Sequence, residues 1–307
     1  MYNRILIPLD GSDVAECVLP HAAALAEANP KAEITFLYVV QPLDTPMTNQ
    51  EFKNRIEKEG KAAAAEYLTR VDHNQSYHDR AQSRVVFEKP AEGILEYAEK
   101  NKADLIVMAS HGLSGVGKWI RGSVADKVLH QAHIPVLRIR AGAGAPPIYR
   151  KGEKMTVLVP MDGSDLAEKV LVHVRKVADH FGPQNLDIVL IRVCELFSYP
   201  HLQYPPRMAL TWDEYLNYEK KRARSICTTY LSGIKSRLKK EGLAVRTTVP
   251  VGSPIETLTK YINRNHIDLI ILSTHGRTGL SEFALGSVAN KVMKNNATPT
   301  MLVRIAD

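Results

Sequence analysis

The 307-residue chain is poor in the groups from which most catalytic and metal sites are built. Its three cysteines, Cys17, Cys194 and Cys227, are scattered and odd in number, and none sits in a C-x-x-C or zinc-type spacing. A disulfide framework and a structural zinc site are therefore excluded, and the expected compartment is reducing and cytoplasmic. The N-terminus carries no signal pattern and no apolar run is long enough to span a bilayer, so no membrane partner is expected. No acid and nucleophile are spaced to complete a triad around any histidine. No metal cluster, general-base pair or Ser-Gly-Gly-x-Asp-Ser pyrophosphatase loop is present. These absences argue against an efficient enzyme.

The first half also lacks excess charge. Residues 1–150 hold 18 basic and 18 acidic side chains, so the whole net charge of +7 lies in the second half, with 22 basic to 15 acidic. Much of it falls between Lys220 and Lys240 in one long helical stretch. No aromatic platform is interleaved with these residues, so they read as a solvated helix face, and nucleic acid is not an expected partner.

What is there is a phrase said twice. Residues 109–125 read A-S-H-G-L-S-G-V-G-K-W-I-R-G-S-V-A, and 273–289 read S-T-H-G-R-T-G-L-S-E-F-A-L-G-S-V-A. Each is His-Gly, nine residues, then Gly-Ser-Val-Ala, and each follows a short apolar run, Leu105 to Met108 or Leu269 to Leu272. Glycines let backbone N–H groups approach an anion, and a following helix presents its unpaired N–H groups and the positive end of its dipole. The order strand, glycine loop, Gly-Ser, helix suits a phosphate. One decoy lies inside it. Gly112 to Lys118 fits G-x-x-x-x-G-K, but Trp119 follows where a P-loop needs Ser or Thr for magnesium.

The repeat runs through both halves. R-I-L-I-P-L-D-G-S at Arg4 to Ser12 answers T-V-L-V-P-M-D-G-S at Thr156 to Ser164. His21, Pro90, Glu92, Tyr97, Asp104 and Pro135 answer His173, Pro254, Glu256, Tyr261, Asp268 and Pro299. The second half runs 152 residues ahead at Asp10 and Asp162, and 164 ahead at His111 and His275. About twelve extra residues therefore lie between, and the expected place is Leu196 to Trp212. Two copies mean a duplication rather than a solenoid. The expected units are domain one at 1–140, a flexible linker at 141–154 stiffened by Pro146 and Pro147, and domain two at 155–307.

Apolar runs alternate with amphipathic stretches. Strands are expected at 3–9, 33–40, 83–88, 104–109 and 135–140, then at 155–161, 186–194, 244–250, 268–273 and 299–305, with four helices per half. Asp13-x-x-Glu16 and Asp165-x-x-Glu168 read as capping boxes at the first helix. Its apolar face is Val14, Val18, Ala22 and Leu25. Pro20 falls inside that helix and is expected to bend it, at a cost of roughly 3 kcal/mol. Alternation of this kind predicts two doubly wound, Rossmann-like α/β domains, each a five-stranded parallel sheet of order 3-2-1-4-5 with helices on both faces.

In that order the ligand crevice lies between strands one and four, beyond their C-terminal ends. The repeated phrases meet there. Candidate ligand contacts in domain one are Pro8, Leu9, Asp10, Val39, Met108, Ala109, His111, Gly112, Gly122, Ser123 and Val124. In domain two they are Pro160, Met161, Asp162, Val193, Leu272, Ser273, His275, Gly276, Arg277, Gly286, Ser287 and Val288. Asp10 and Asp162 suit a ribose hydroxyl or an adenine amine, Val39 and Val193 an apolar slot, and Gly112 to Ser123 or Gly276 to Ser287 the phosphates. Asp-Gly-Ser is also a turn sequence, and Ser123 and Ser287 are also possible N-caps.

These motifs resemble those of the universal stress protein family, and specifically its tandem two-domain members, over nearly the whole chain. The family motif of nucleotide-binding members is G-x-x-G-x9-G-S/T. Its second glycine matches Gly112 or Gly276, and its closing pair matches Gly122-Ser123 or Gly286-Ser287. Its strand-one aspartate matches Asp10 or Asp162. The first glycine is replaced by Ala109 and Ser273. The family's Gly-x-Pro stands as Gly252-Ser253-Pro254 in domain two, while domain one has Glu88-Lys89-Pro90. The resemblance implies ATP binding with a divalent ion, Mg2+ or Mn2+, and dimerisation through strand five. Within one chain that becomes a pseudo-dimer of the two domains, with a homodimer also open. The expected role is a stress-response module that binds adenine nucleotide and regulates a protein partner. A nucleotide-free scaffold and a slow ATPase are the alternatives.

Overall fold

The computed structural model describes residues 1–42, 50–110, 123–142, 147–195, 211–274 and 286–304. The first half runs β1 (Arg4–Leu9), α1 (Asp13–Glu16), α2 (Leu19–Ala28), β2 (Glu33–Val40), α3 (Gln50–His73), β3 (Ala81–Phe87), α4 (Pro90–Lys100), β4 (Leu105–Ser110), α5 (Ser123–Gln131) and β5 (Val136–Arg140). The second runs β6 (Met155–Pro160), α6 (Asp165–Lys169), α7 (Leu171–Phe181), β7 (Leu186–Ile191), α8 (Trp212–Lys240), β8 (Val245–Thr248), α9 (Pro254–Arg264), β9 (Leu269–Ser273), α10 (Ser287–Asn295) and β10 (Thr300–Val303). All ten expected strands form. In the second half β7 stops at Ile191, and Cys194 continues it only as an isolated bridge to Val251.

Strand order is β3-β2-β1-β4-β5-β10-β9-β6-β7-β8, so each half shows 3-2-1-4-5 and the two share one sheet. All pairs within a half are parallel, and β5 meets β10 antiparallel. At that seam Leu137 faces Met301, Val136 faces Leu302 and Arg138 faces Thr300. Leu137 and Met301 stand 164 residues apart, the offset of the repeat itself, so a pseudo-twofold axis passes through this pair. Apolar fifth strands that would otherwise be exposed edges, a template for aggregation, cover one another. Leu137, Ile139, Met301 and Val303 are all buried.

The seam is locked by a reciprocal exchange. Arg140, at the end of β5, donates to the carbonyls of Lys294 and Asn296 at the C-terminus of α10 (3.4 and 3.3 Å). Arg304, its counterpart after β10, donates to those of His130 and Gln131 at the C-terminus of α5 (3.4 and 3.2 Å). Each guanidinium satisfies orphan carbonyls and meets the negative end of a helix dipole.

Several repeated residues prove to be structural. Asp104 accepts the backbone N–H of Asn3 and Arg4 (2.8 and 3.0 Å), and Asp268 accepts that of Thr156 (2.7 Å), so each fastens the start of its first strand. The carbonyls of Pro135 and Pro299 accept from Ile106 and Ile270, both at 3.0 Å, aligning strand five on strand four.

Four local expectations need correction. The first helix of each half is broken, after Glu16 and after Lys169. Pro20 stands in the first turn of α2, where its missing N–H costs nothing, rather than inside a helix. The second half breaks at the same place with Val172 in the proline's position, so the fold imposes the break and the proline only fits it. The caps are Ser12 and Ser164, whose hydroxyls accept the N–H of Ala15 and Ala167 (both 3.1 Å); Asp13 and Asp165 lie one residue inside. A full capping box forms instead at α8, between Thr211 and Glu214. The twelve extra residues are not all in one place. Equivalent positions Glu33 and Asp187 are 154 apart, and Ala81 and Val245 are 164 apart. Two of the extra residues thus precede β7, where the 3-10 turn Pro183–Asn185 stands, and ten lie between β7 and β8. Residues 196–210 lie outside the described residues. The linker's end is docked rather than free: Ile148 is buried, and Tyr149 packs on Phe181 with ring centroids 4.9 Å apart.

The long basic helix α8 buries Tyr215, Ala223, Cys227, Leu231, Ile234 and Leu238 along one face. Lys220, Lys221, Lys239 and Lys240 are exposed. Arg222 pairs with Glu219 and Arg237 with Glu168. This is the solvated face expected from the sequence. Among the described residues no helix is long and apolar enough to cross a membrane.

Candidate functional site

At the C-terminal edge of β1 the chain turns through Asp10, Gly11 and Ser12 before α1. Asp10 Oδ1 accepts the Ser12 N–H (3.0 Å) and the Ser12 hydroxyl (2.6 Å). Asp162 Oδ1 accepts the same two groups of Ser164 (2.9 and 2.7 Å). Gly11 and Gly163 have φ of +84° and +89°, a conformation that a Cβ would strain. The two aspartates are thus turn formers. Asp10 is exposed and Asp162 half-buried, each just beyond the C-terminal end of its half's first strand.

The other candidates divide by side chain. Leu9, Met161, Met108 and Leu272 are 3–5% exposed and belong to the core, so any ligand contact is through their backbone. Pro8, Pro160, Ala109, Ser273, Val39, Val193, Val124 and Val288 are half-buried along the same edge. Val39 and Val193 pack on the α4 and α9 side of the sheet. Gly286 is the N-cap of α10, its N–H donating to the Thr274 carbonyl at 2.7 Å and its own carbonyl accepting from Asn290 at 3.0 Å. Ser287 is therefore the first helical residue and not the cap. Helix α5 likewise begins at Ser123. His111, Gly112, Gly122, His275, Gly276 and Arg277 lie outside the described residues. Among the described residues no group of three His, Cys, Asp or Glu side chains could hold a metal ion.

Glu88 in place of the motif glycine has a physical counterpart. A Cβ on Gly252 would lie 2.8 Å from Thr257 Oγ1, and its φ is +152°. In the first half the glycine has moved to the other partner: Gly93 stands where Thr257 does, and a Cβ there would lie 3.2 Å from Glu88 Cβ and 2.8 Å from Val39 Cγ1. Loop and helix approach so closely that one member of each pair is glycine.

Three residues at these edges carry information that the motifs do not. Tyr38, near the end of β2, donates its hydroxyl to the Asp10 carbonyl (3.1 Å). Its counterpart after β7 is Arg192, 8% exposed, with its guanidinium 4.6 Å from the centroid of the Tyr230 ring and packed against Gly163. Arg192 Nε has no hydrogen-bond partner among the described residues. Arg138, in β5, is 6% exposed, and its Nε donates to Ser110 Oγ at the end of β4 (2.7 Å). Burial, and then the nearby Arg140, pull its guanidinium down to about 10. The signal was present in the sequence as a charge inside the otherwise apolar run Pro135 to Ile139.

Comparison with known proteins agrees with this architecture. The model of the Universal stress protein family matches residues 1–140 and again 155–304. A universal stress protein of Mycolicibacterium smegmatis is 23% identical over 306 residues, covering 98% of this chain and 96% of its own. One from Thermus aquaticus is 37% identical over 148 residues, all of its own length and 46% of this chain. The crystal structure of a universal stress protein from Archaeoglobus fulgidus superimposes over 99% of this chain and 97% of its own, with a TM-score of 0.69 at 20% identity, and so shares the fold. The chain belongs to the universal stress protein family, with two tandem copies of its domain.

Proposed function

We propose that the protein binds an adenine nucleotide, ATP, in the crevice of one or both halves and serves as a regulatory module of the stress response without efficient catalysis. The units are 1–140 and 155–307, joined by 141–154. The observation that carries this reading is a convergence. The Asp-Gly-Ser turn after strand one and the start of α5 at Ser123 or of α10 at Gly286-Ser287 follow the C-terminal ends of strands one and four, where strand order reverses. Asp10 or Asp162 suits the nucleoside, Val39 or Val193 the base, and the helix N-termini at Gly122-Ser123 and Gly286-Ser287 the phosphates. His111, Gly112, His275, Gly276 and Arg277 are the further residues expected to contact the nucleotide. A divalent ion, Mg2+ or Mn2+, is expected to come with the phosphates.

One observation favours a second reading. The Oδ1 of each aspartate is already committed to its own turn, as a nucleotide-free scaffold would require. Calorimetric titration of the full chain with ATP separates the two. Binding that Gly286→Leu removes from one class of sites supports the nucleotide reading; absence of binding supports the scaffold.

A further inference from the structure

Arg138 breaks the pattern of its strand. Its equivalent in the second half is Leu302, a buried apolar residue in the same register on its fourth strand: Met108 faces Arg138 and Leu272 faces Leu302. A buried guanidinium is retained only where its donors are met. Here Nε is met by Ser110, while Nη1 is buried with no acceptor among the described residues. Asp126, in the first turn of α5, acts on it electrostatically but forms no ion pair with it among the described residues.

The direction of the side chain is fixed by its bond. Arg138 pairs in the sheet with Met108, yet its Nε reaches Ser110, two residues nearer the C-terminal edge. Ser110 is the last residue of β4, immediately before His111-Gly112, and α5 begins at Ser123. The guanidinium therefore runs along β4 to its C-terminal end, on the side where Asp126 of the first turn of α5 acts on it. A helix N-terminus and an unpaired buried cation there favour the same ligand, an anion with several oxygens.

We propose that Arg138 is an anion-binding residue at the β4–β5 end of the first half's ligand edge, its free donor taking the outer phosphates of a nucleoside polyphosphate. This rests on the nucleotide reading and deepens it. The two halves then differ in selectivity: the first discriminates by phosphate number, and the second, with Leu302, discriminates less.

The test is calorimetric titration of the full chain with ATP, AMP and inorganic tripolyphosphate, for the wild type, Arg138→Leu and Arg138→Gln. Leucine is the residue the other half carries at this place, and glutamine retains a polar contact with Ser110, so at least one variant is expected to fold. In the folded variant, ATP and tripolyphosphate should weaken about 10- to 100-fold at one site, while AMP is unchanged. ATP and tripolyphosphate binding as tight as wild type overturns the proposal and leaves the nucleotide reading intact. Equal weakening of AMP also overturns it, as a merely structural role would. Tripolyphosphate binding that depends on Arg138, with no binding of ATP or AMP, supports the anion site and overturns the nucleotide reading. No binding of any probe overturns both.

Discussion

Asp10 and Asp162 each accept two hydrogen bonds from the serine two residues on, and each follows the C-terminal end of its half's first strand, where the proposed nucleotide would sit. Turn and ligand roles therefore have to be separated by chemistry rather than by deletion. Alanine removes both, whereas asparagine keeps a carbonyl oxygen for the serine and removes only the charge. Asp10→Asn and Asp162→Asn should change unfolding free energy by less than about 0.5 kcal/mol and weaken ATP by about 1–3 kcal/mol at the altered site. Thermal unfolding and calorimetry read the two separately; a clear loss of stability with unchanged affinity would assign these residues to the turn alone. At this scale the sequence was legible where residues repeat and opaque where the halves differ. The glycine exchanged between Glu88–Gly93 and Gly252–Thr257 shows only when both partners are seen in contact. Arg192 and Arg138 stand opposite Tyr38 and Leu302, which are unlike them, so the repeat offered no reason to single them out.

The elements were read well because apolar runs and turn residues specify them locally. Alternating strands and helices gave all ten strands and their order within each half. The errors lie where a local pattern competes with tertiary geometry. Spacing alone made one helix of α1 and α2, but both halves break at the same place, at Val18-Leu19-Pro20 in one and Val170-Leu171-Val172 in the other. Pro20→Ala should accordingly leave stability within about 0.5 kcal/mol of wild type in denaturant unfolding. A gain near 3 kcal/mol would show that the proline strains a helix that would otherwise be continuous.

At the scale of the whole molecule, the halves are joined by the β5–β10 seam, the crossed arginine caps and a buried polar cluster. His180 Nδ1 accepts the Tyr2 N–H (3.3 Å), and its Nε2 faces the Leu25 carbonyl (2.9 Å). His21 Nδ1 accepts the Ile148 N–H (3.2 Å), and the Tyr2 hydroxyl meets His173 Nδ1 (3.0 Å). A nitrogen that accepts an N–H cannot also carry a proton, so the bonds to His180 and His21 require neutral rings. Burial pulls all three histidines down to about 4, with Lys176 adding to it at His173 and the Met1 ammonium at His180. Their folded values are below the unfolded one, so their contribution is complete above pH 6.5 and is lost as pH falls toward 4. The two fully buried rings, His21 and His180, each contribute on the order of 3 kcal/mol, and half-buried His173 less. Chemical denaturation between pH 7.5 and 4.5 should show stability level down to about pH 6.5 and falling from there to 4.5, with a shallower slope in His180→Gln. A flat profile down to pH 5 would contradict it. The paired carboxylates Glu92 and Glu241, held below their usual range by Lys127 and Arg175, lose their contribution only in more acid solution.

The central claim is that this duplicated scaffold carries nucleotide. The most direct test is to purify the protein gently, denature it and quantify the adenine nucleotide released per chain by chromatography. A nucleotide-carrying chain should release a stoichiometric fraction, up to two per chain, falling when Gly286 is replaced by leucine. Chains that release none, and that take up none when incubated with ATP and Mg2+, would contradict it and leave a scaffold whose crevices are closed by their own turns.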